Sequence, residues 1–316
     1  HINSIEDLQN FANLNRHNFN LGKKYSNTIM KNILRNLKVD YTDPTNFIYV
    51  SNKKNIDNYK DINGKWDYQN LFKLYMIHYY KDIIVCDNLA MTSFPIYPNM
   101  KDFHGSNNQL TSFPVQPEMI NFYGYHNQLI SFPVQPKMIH FKGYNNDLTT
   151  FPVQPKMINF YGDYNQLISF PVQPEMEVFY GDCNQLTSFA VQPKMKIFLG
   201  GYNHLICFPV QPKMIHFYGD NNQLTNFPVQ PEMEEFKGNN NRLTSFPIQP
   251  KMKAFYASNN RLTSFLVQPE MEVFYGVDNQ LTSFPIQQHM AFFNGSNNNL
   301  GNYRCTDQPK LETCII

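Results

Sequence analysis

A phrase of nineteen residues recurs eleven times without insertion, and few folds can accommodate such a chain. Phe94, Phe113, Phe132, Phe151, Phe170, Phe189, Phe208, Phe227, Phe246, Phe265 and Phe284 each open it. The consensus is F-P-V-Q-P-x-M-x-x-F-x-G-x-x-N-x-L-T-S, running from Phe94 to Asn302. A strict repeat of this length means stacked units, each burying its apolar side against its neighbours. The composition follows from the repeat. Two columns hold 22 of the 27 Phe, one holds 11 of the 14 Met, and the two proline positions hold 19 of the 21 Pro.

Other global features exclude function classes. Of 316 residues, 42% are apolar, enough to build a core. The formal net charge is +1, and residues 83–303 carry 12 basic and 15 acidic side chains, so nucleic acid is a poor candidate partner. No run approaches the ~20 apolar residues of a membrane span, and no signal peptide opens the sequence. Five Cys, an odd number scattered without a framework, fit a reducing compartment, so an intracellular, cytoplasmic protein without a membrane partner is expected.

Within each copy a strand sends alternate side chains to opposite faces, so Phe122 and Gly124 point inward and Tyr123 outward. The return arm is too rich in Pro for a helix and is expected to be extended or polyproline-like. Gly leaves room where Phe from strand and arm meet, Ala257 being its only replacement, and Met fills the remaining gap. The Asn column, Asn108 through Asn298, never varies among the copies. Asn at a bend can satisfy backbone groups of its own and the adjacent coil, which predicts a structural ladder.

The half-phrase M-x-x-F-x-G-x-x-N-x-L resembles the leucine-rich repeat, and F-P-V-Q-P resembles the L-P-x-L-P opening of enterobacterial effector repeats of the YopM type, one residue shorter. The resemblance covers about two thirds of the chain, with Phe where Leu is usual. It implies an α+β protein: a right-handed leucine-rich-repeat solenoid with a parallel concave sheet, an irregular convex side and a small helical N-terminal domain. Residues 1–82 form that domain, 83–303 the solenoid and 304–316 a partial repeat. Ile84 and Cys86 fall in the Phe and Gly columns, predicting a capping strand, and Leu89 stands where the ladder Asn belongs. At the other end Tyr303 opens a twelfth copy, and Pro309, Leu311 and Cys314 continue it after a two-residue slip.

The outward strand positions vary and are the expected binding surface. Tyr123, Tyr161, Tyr180, Tyr218, Tyr256 and Tyr275 share one column with His104, Lys142, Leu199, Lys237 and Asn294. Tyr125, Tyr144, Asp163, Asp182, Asp220 and Asn239 flank it, followed by His126, Tyr164 and Tyr202. Tyrosines of this kind are enriched at protein interfaces, although they also pack in ladders on β surfaces. Catalytic signals are missing. His140 and His216 share a column but lie four coils apart, roughly 19 Å at strand spacing, too far to share a metal. Cys183 sits near Tyr164 and Tyr202 with no basic neighbour in its coil to lower its pKa. The effector family often carries a cysteine ligase domain after its repeats, but fewer than fifteen residues follow Tyr303. A non-catalytic chain without metal or cofactor is expected.

Residues 1–82 lack the repeat and read as helices. Thr28 to Lys53 resembles an F-box: Ile33, Leu34, Leu37, Asp43, Pro44, Phe47, Val50 and Ser51 fill the places of I-L-x-x-L, D-P-x-x-L and V-S-K/R, with Trp66 and Leu71 after them. The opening L-P is missing, and Tyr41-Thr42 lengthen the loop before Asp43. The resemblance implies a substrate receptor of an SCF-type ubiquitin ligase. Its Ile33, Leu34, Leu37, Pro44 and Phe47 would dock a Skp-family adaptor, and through it a cullin. The Asn, Ile, Lys and Tyr bias together with near-identical tandem copies resembles F-box and repeat proteins of mimivirus-type giant DNA viruses, implying a host cytoplasm. The alternatives are a plain scaffold whose helices only cap the solenoid, or a virion or assembly protein using the mixed column of Glu118, Lys137, Lys156 and Glu175.

Overall fold

The computed structural model describes residues 82–301 and 303–316. The helical and F-box-like readings of 1–82, and with them Ile33, Leu34, Leu37, Pro44 and Phe47, lie outside the described residues, Asp82 excepted. The chain divides into two compact units, His1–Met138 and Ile139–Ile316. The first contributes β1 (Ile83–Val85), β2 (Asp102–His104) and β3 (Asn121–Tyr123). The second contributes β4 (His140–Lys142), β5 (Asn159–Tyr161), β6 (Val178–Tyr180), β7 (Ile197–Leu199), β8 (His216–Tyr218), β9 (Glu235–Lys237), β10 (Ala254–Tyr256), β11 (Val273–Tyr275), β12 (Phe292–Asn294) and β13 (Thr313–Ile315). Inside each unit successive strands pair in parallel with like columns opposed, Phe160 against Phe179 and Phe179 against Phe198. The expected capping strand is present, with Ile84 opposite Phe103 and both Ile84 and Cys86 buried.

Strands β2 to β12 show the same alternation, a buried Phe between two half-buried residues. Phe160, Met157 and Leu167 have no exposed surface, and the same columns repeat this throughout. Strand phenyls stack coil on coil, Phe160 on Phe179 at 5.4 Å, and meet arm phenyls edge-on, Phe170 to Phe179 at 4.8 Å. Burial of each ring contributes about 2–3 kcal/mol beyond what the exposed ring would have. A β-carbon at Gly181 would lie 2.4 Å from Cζ of Phe179, which is why the column is glycine. Around the one exception, Ala257, the rings adjust: Phe246 and Phe265 stand 6.4 Å apart, against 5.8 Å for Phe227 and Phe246. Between Phe94 and Leu300 the return arms carry neither helix nor strand, and Gln192 to Met195 closes a turn by a Met195 N–H to Gln192 carbonyl bond of 3.3 Å, with Pro193 at its favoured second position.

Polar ladders hold the coils at their corners. Asn203 Nδ2 donates to the carbonyls of Gly181 in the preceding coil (2.9 Å) and of Gly200 and Gly201 in its own (3.3 and 3.0 Å). Its Oδ1 accepts the Leu186 N–H at 2.9 Å. One side chain thus satisfies four backbone groups that the bend would otherwise strand. A second ladder, whose role the sequence reading missed, is built by Gln. Gln192 Nε2 donates to the Pro171 carbonyl at 3.1 Å, and its Oε1 accepts the Gln173 N–H at 2.7 Å.

The last coil follows the two-residue slip. Gln308 enters the Gln ladder, accepting the Gln287 N–H at 2.8 Å across 21 residues, and Cys314 opposes Phe293. Tyr303 takes the arm position, its ring 4.6 Å from that of Phe293. The cysteine reading needs correction. Cys305, in a 3-10 turn made by the inserted residues, is disulfide-bonded to Cys314, their Cα atoms 6.0 Å apart. The insertion brings a thiol across a coil narrow enough to be spanned. Two of the five Cys therefore do form a framework, and the cysteines no longer argue for a reducing compartment.

Candidate functional site

The exposed strand face is set by alternation: with Phe inward, the residues before and after it face out. In the first unit His104 and Tyr123 stack at 4.5 Å, and Tyr125 is half-buried with its ring 5.7 Å from His126. In the second unit Tyr161 opposes Tyr180, Tyr180 opposes Leu199 and Leu199 opposes Tyr218. Beyond them Lys237, Tyr256, Tyr275 and Asn294 continue the column. The rings also pack on one another, Tyr161 against Tyr180 at 4.8 Å and Tyr256 against Tyr275 at 5.5 Å, so ladder packing and exposure coexist in half-buried side chains.

Charge on this face is largely paired. Tyr218 donates its hydroxyl to Glu235 at 2.7 Å, and Lys237 reaches the other oxygen of Glu235 at 3.0 Å. Burial pushes the Tyr218 phenol well up, helped by that carboxylate. Burial also raises Glu235, but bonds from Tyr218 and Lys237 outweigh it and hold the carboxyl below its usual range. Lys237 Nζ lies 4.4 Å from the Tyr218 ring centre and 5.4 Å from that of Tyr256, while Lys142 lies 5.2 Å from Tyr161, so ammonium groups already rest on these tyrosines.

The column after Gly does more than flank the tyrosines. Asp163 Oδ1 accepts the Asp182 N–H at 2.9 Å, Asp182 the Gly201 N–H at 2.7 Å, and Asp220 the Asn239 N–H at 2.7 Å. These residues form a third ladder, and each still leaves burial-raised carboxyl chemistry on the surface, Asp182 being pushed up to about 6. Tyr144, Tyr164, Tyr180 and Tyr202 wall a hollow of about 420 Å³ with Asp163, Asp182 and Cys183. Burial raises the Cys183 thiol, and the nearby Asp182 and Asp163 raise it further against a hydrogen bond from Tyr164. A thiol held protonated is no nucleophile. Among the described residues no group of His, Cys, Asp or Glu could hold a metal, and no helix is long and apolar enough to cross a membrane.

No known family model matches the chain, and no curated protein matches it. Solved structures do. The effector YopM of Yersinia pestis, a leucine-rich protein, superposes with a TM-score of 0.51 at 24% identity over 69% of this chain, but over only 61% of its own. The leucine-rich repeat domain of APL1B gives 0.56 at 14% identity, covering 88% and 89% of the two chains. The functional domain of InlJ from Listeria monocytogenes, which includes a cysteine ladder, gives 0.54 at 12% identity over 74% and 62%. The fold is that of a leucine-rich-repeat solenoid.

Proposed function

We propose that this chain is a non-catalytic interaction module that holds a protein target on its tyrosine-rich concave face. The observation that carries the reading is the contrast of columns: Phe, Met, Leu and Asn recur unchanged inside and Gln in every copy but the first, while half-exposed strand positions hold Tyr, Lys, Leu, Glu and His. Half-buried tyrosines with hydroxyls at the surface offer contact area at low entropy cost. The F-box-like stretch from Thr28 to Lys53 extends the reading to a substrate receptor of an SCF-type ligase, in which Ile33, Leu34, Leu37, Pro44 and Phe47 dock a Skp-family adaptor and cullin. Function would then be effective concentration, the target being held near a ligase whose chemistry lies elsewhere. That role goes with host cytoplasm and the mimivirus-like sequence bias. In such a compartment Cys305 and Cys314 would be kept reduced.

The disulfide favours a second reading, a plain binding scaffold in an oxidising compartment. An assembly role through the Lys/Glu column gains less support. Lys137 pairs with Glu118 and Lys194 with Glu175, each on the adjacent coil of its own chain.

Affinity capture from cell extract separates these readings, using the full chain, an Ile33→Asp/Leu37→Asp variant and a Tyr218→Ser/Tyr256→Ser variant. The wild type is expected to recover adaptor, cullin and targets. The first variant should lose adaptor and cullin but keep targets, and the second the reverse. A wild type that brings down no adaptor sinks the ligase role. Targets kept by the tyrosine variant sink the concave-face role.

A further inference from the structure

In a chain of near-identical coils a departure from the repeat is informative, and three departures fall together. Where Asn145, Asn221, Asn240 and Asn259 occupy a left-handed backbone position, consecutive coils place Tyr164 (φ 53), Cys183 (φ 56) and Tyr202 (φ 52). Asn tolerates that conformation through local hydrogen bonding and a ring does not, so these rings are held there against backbone preference. In the column of Asp163, Asp182 and Asp220 stands Gly201, and between Tyr180 and Tyr218 stands Leu199. Of these departures, Tyr164, Cys183, Tyr202 and Leu199 line the hollow of about 420 Å³. Gly201 itself donates its N–H to Asp182 Oδ1 at 2.7 Å, and a β-carbon there would sit 3.2 Å from the Asp220 carbonyl oxygen.

We propose that this hollow receives the ammonium or guanidinium head of a lysine or arginine side chain carried by an extended segment of the partner protein. The proposal rests on the concave-face reading and names the chemistry of what binds there. Tyr144, Tyr164, Tyr180 and Tyr202 supply aromatic surface, and Asp163 and Asp182 supply the charge. One oxygen of each carboxylate accepts a backbone N–H of the next coil, and no ammonium or guanidinium pairs with either carboxylate among the lining residues. No basic side chain lines the hollow. Elsewhere on the same face the chain provides the cation itself, Lys142 over Tyr161 and Lys237 between Tyr218 and Tyr256. Here the rings and carboxylates are present and the cation must come from outside, where a partly desolvated pair gains most from it.

The test uses the full chain with labelled leucine methyls, the Leu199 signal being assigned by Leu199→Ile. It is titrated with a short Gly/Ser peptide carrying one lysine, with the norleucine counterpart, and with tetramethylammonium. The lysine peptide should shift Leu199 saturably and the norleucine peptide should not. Asp163→Asn/Asp182→Asn keeps the ladder, because Asn239 already accepts the Ser258 N–H at 2.8 Å in this column. It should bind the lysine peptide about ten-fold more weakly while unfolding at a temperature no lower than the wild type. Tyr164→Asn restores the residue usual at that backbone position, so it should fold at least as well and also bind more weakly. Equal shifts from the norleucine peptide, no shift from the lysine peptide, or unchanged affinity in both variants would overturn the proposal. Tetramethylammonium binding more tightly than the lysine peptide would assign the hollow to a small quaternary cation and overturn the partner side chain. A negative result here, with target capture still lost on Tyr218→Ser/Tyr256→Ser, would leave the concave-face reading standing.

Discussion

Between Ile139 and Ile316 successive coils place Phe, Met and Leu inside with no exposed surface at Phe179, Met176 and Leu186, while the strand positions beside Phe hold residues as different as His140, Val178 and Glu235. Both sets belong to one nineteen-residue phrase, so they differ in constraint and not in origin. Inside, each ring touches its copies above and below, and a change in one coil disturbs two neighbours. Outside, Tyr, Leu and Lys interchange because one side of each residue is open to solvent. A stacked fold therefore separates stability from recognition by alternate positions along three-residue strands.

The contrast breaks most directly in the core. Phe198→Ala should cost about 4 kcal/mol in denaturant unfolding, from lost burial plus a cavity between two stacked rings. A cost like that of a surface tyrosine would remove the distinction between the two faces. Asn203→Ala should cost about 3 kcal/mol, since it strands the Leu186 N–H and the Gly181 carbonyl inside the bend. Hydrogen exchange should place the loss in the coils on either side of Asn203.

How much of this the sequence showed depends on uniformity. Phe, Gly, Met and Asn columns were legible because each does one job in every coil, and the Asn ladder has the expected form. The Gln column varies only at Tyr97 in the first copy but its role was missed, because a polar residue on a proline-rich arm reads as surface until the carbonyls of the preceding coil are placed beside it. Asp163, Asp182 and Asp220 read as binding residues, yet each also caps a backbone N–H of the next coil. Nothing in the spacing shows that Tyr164 and Tyr202 occupy a left-handed conformation, or that an insertion carries Cys305 to Cys314. Of the candidate site, the tyrosine column could be read from alternation, and the hollow could not.

Smaller effects sharpen the comparison. Gly200→Ala should cost about 1–2 kcal/mol, because a β-carbon there meets Phe198 at 2.3 Å, although Ala257 shows that a coil can widen to take one. The same substitution at Gly201, where the nearest atom to a β-carbon is the Asp220 carbonyl oxygen at 3.2 Å, should cost less. The smallest effect is a pH dependence. Burial raises Asp163, Asp182 and Asp220 above their unfolded values, and Asp163 and Asp220 add repulsion at Asp182. Their ionised forms are therefore disfavoured by folding, a cost present near pH 7 that is relieved as pH falls through about 6 at Asp182. Wild type should gain stability from pH 7 to 5 relative to Asp163→Asn/Asp182→Asn, as followed by thermal unfolding. Lys237, which lowers Asp220, and the Cys183 thiol, which stays protonated throughout, leave the sign unchanged.

The proposed recognition surface is the concave column and not the arm. A photoreactive benzoylphenylalanine placed at Tyr256 in one full-length chain, and at Val172 on the arm in another, tests it in cell extract. Val172 is 47% exposed and Tyr256 only half-buried, so accessibility alone favours the arm. Discrete protein adducts are expected from position 256, suppressed by Tyr218→Ser, and none from position 172. Adducts from the arm alone, or the same adducts from both, would contradict it.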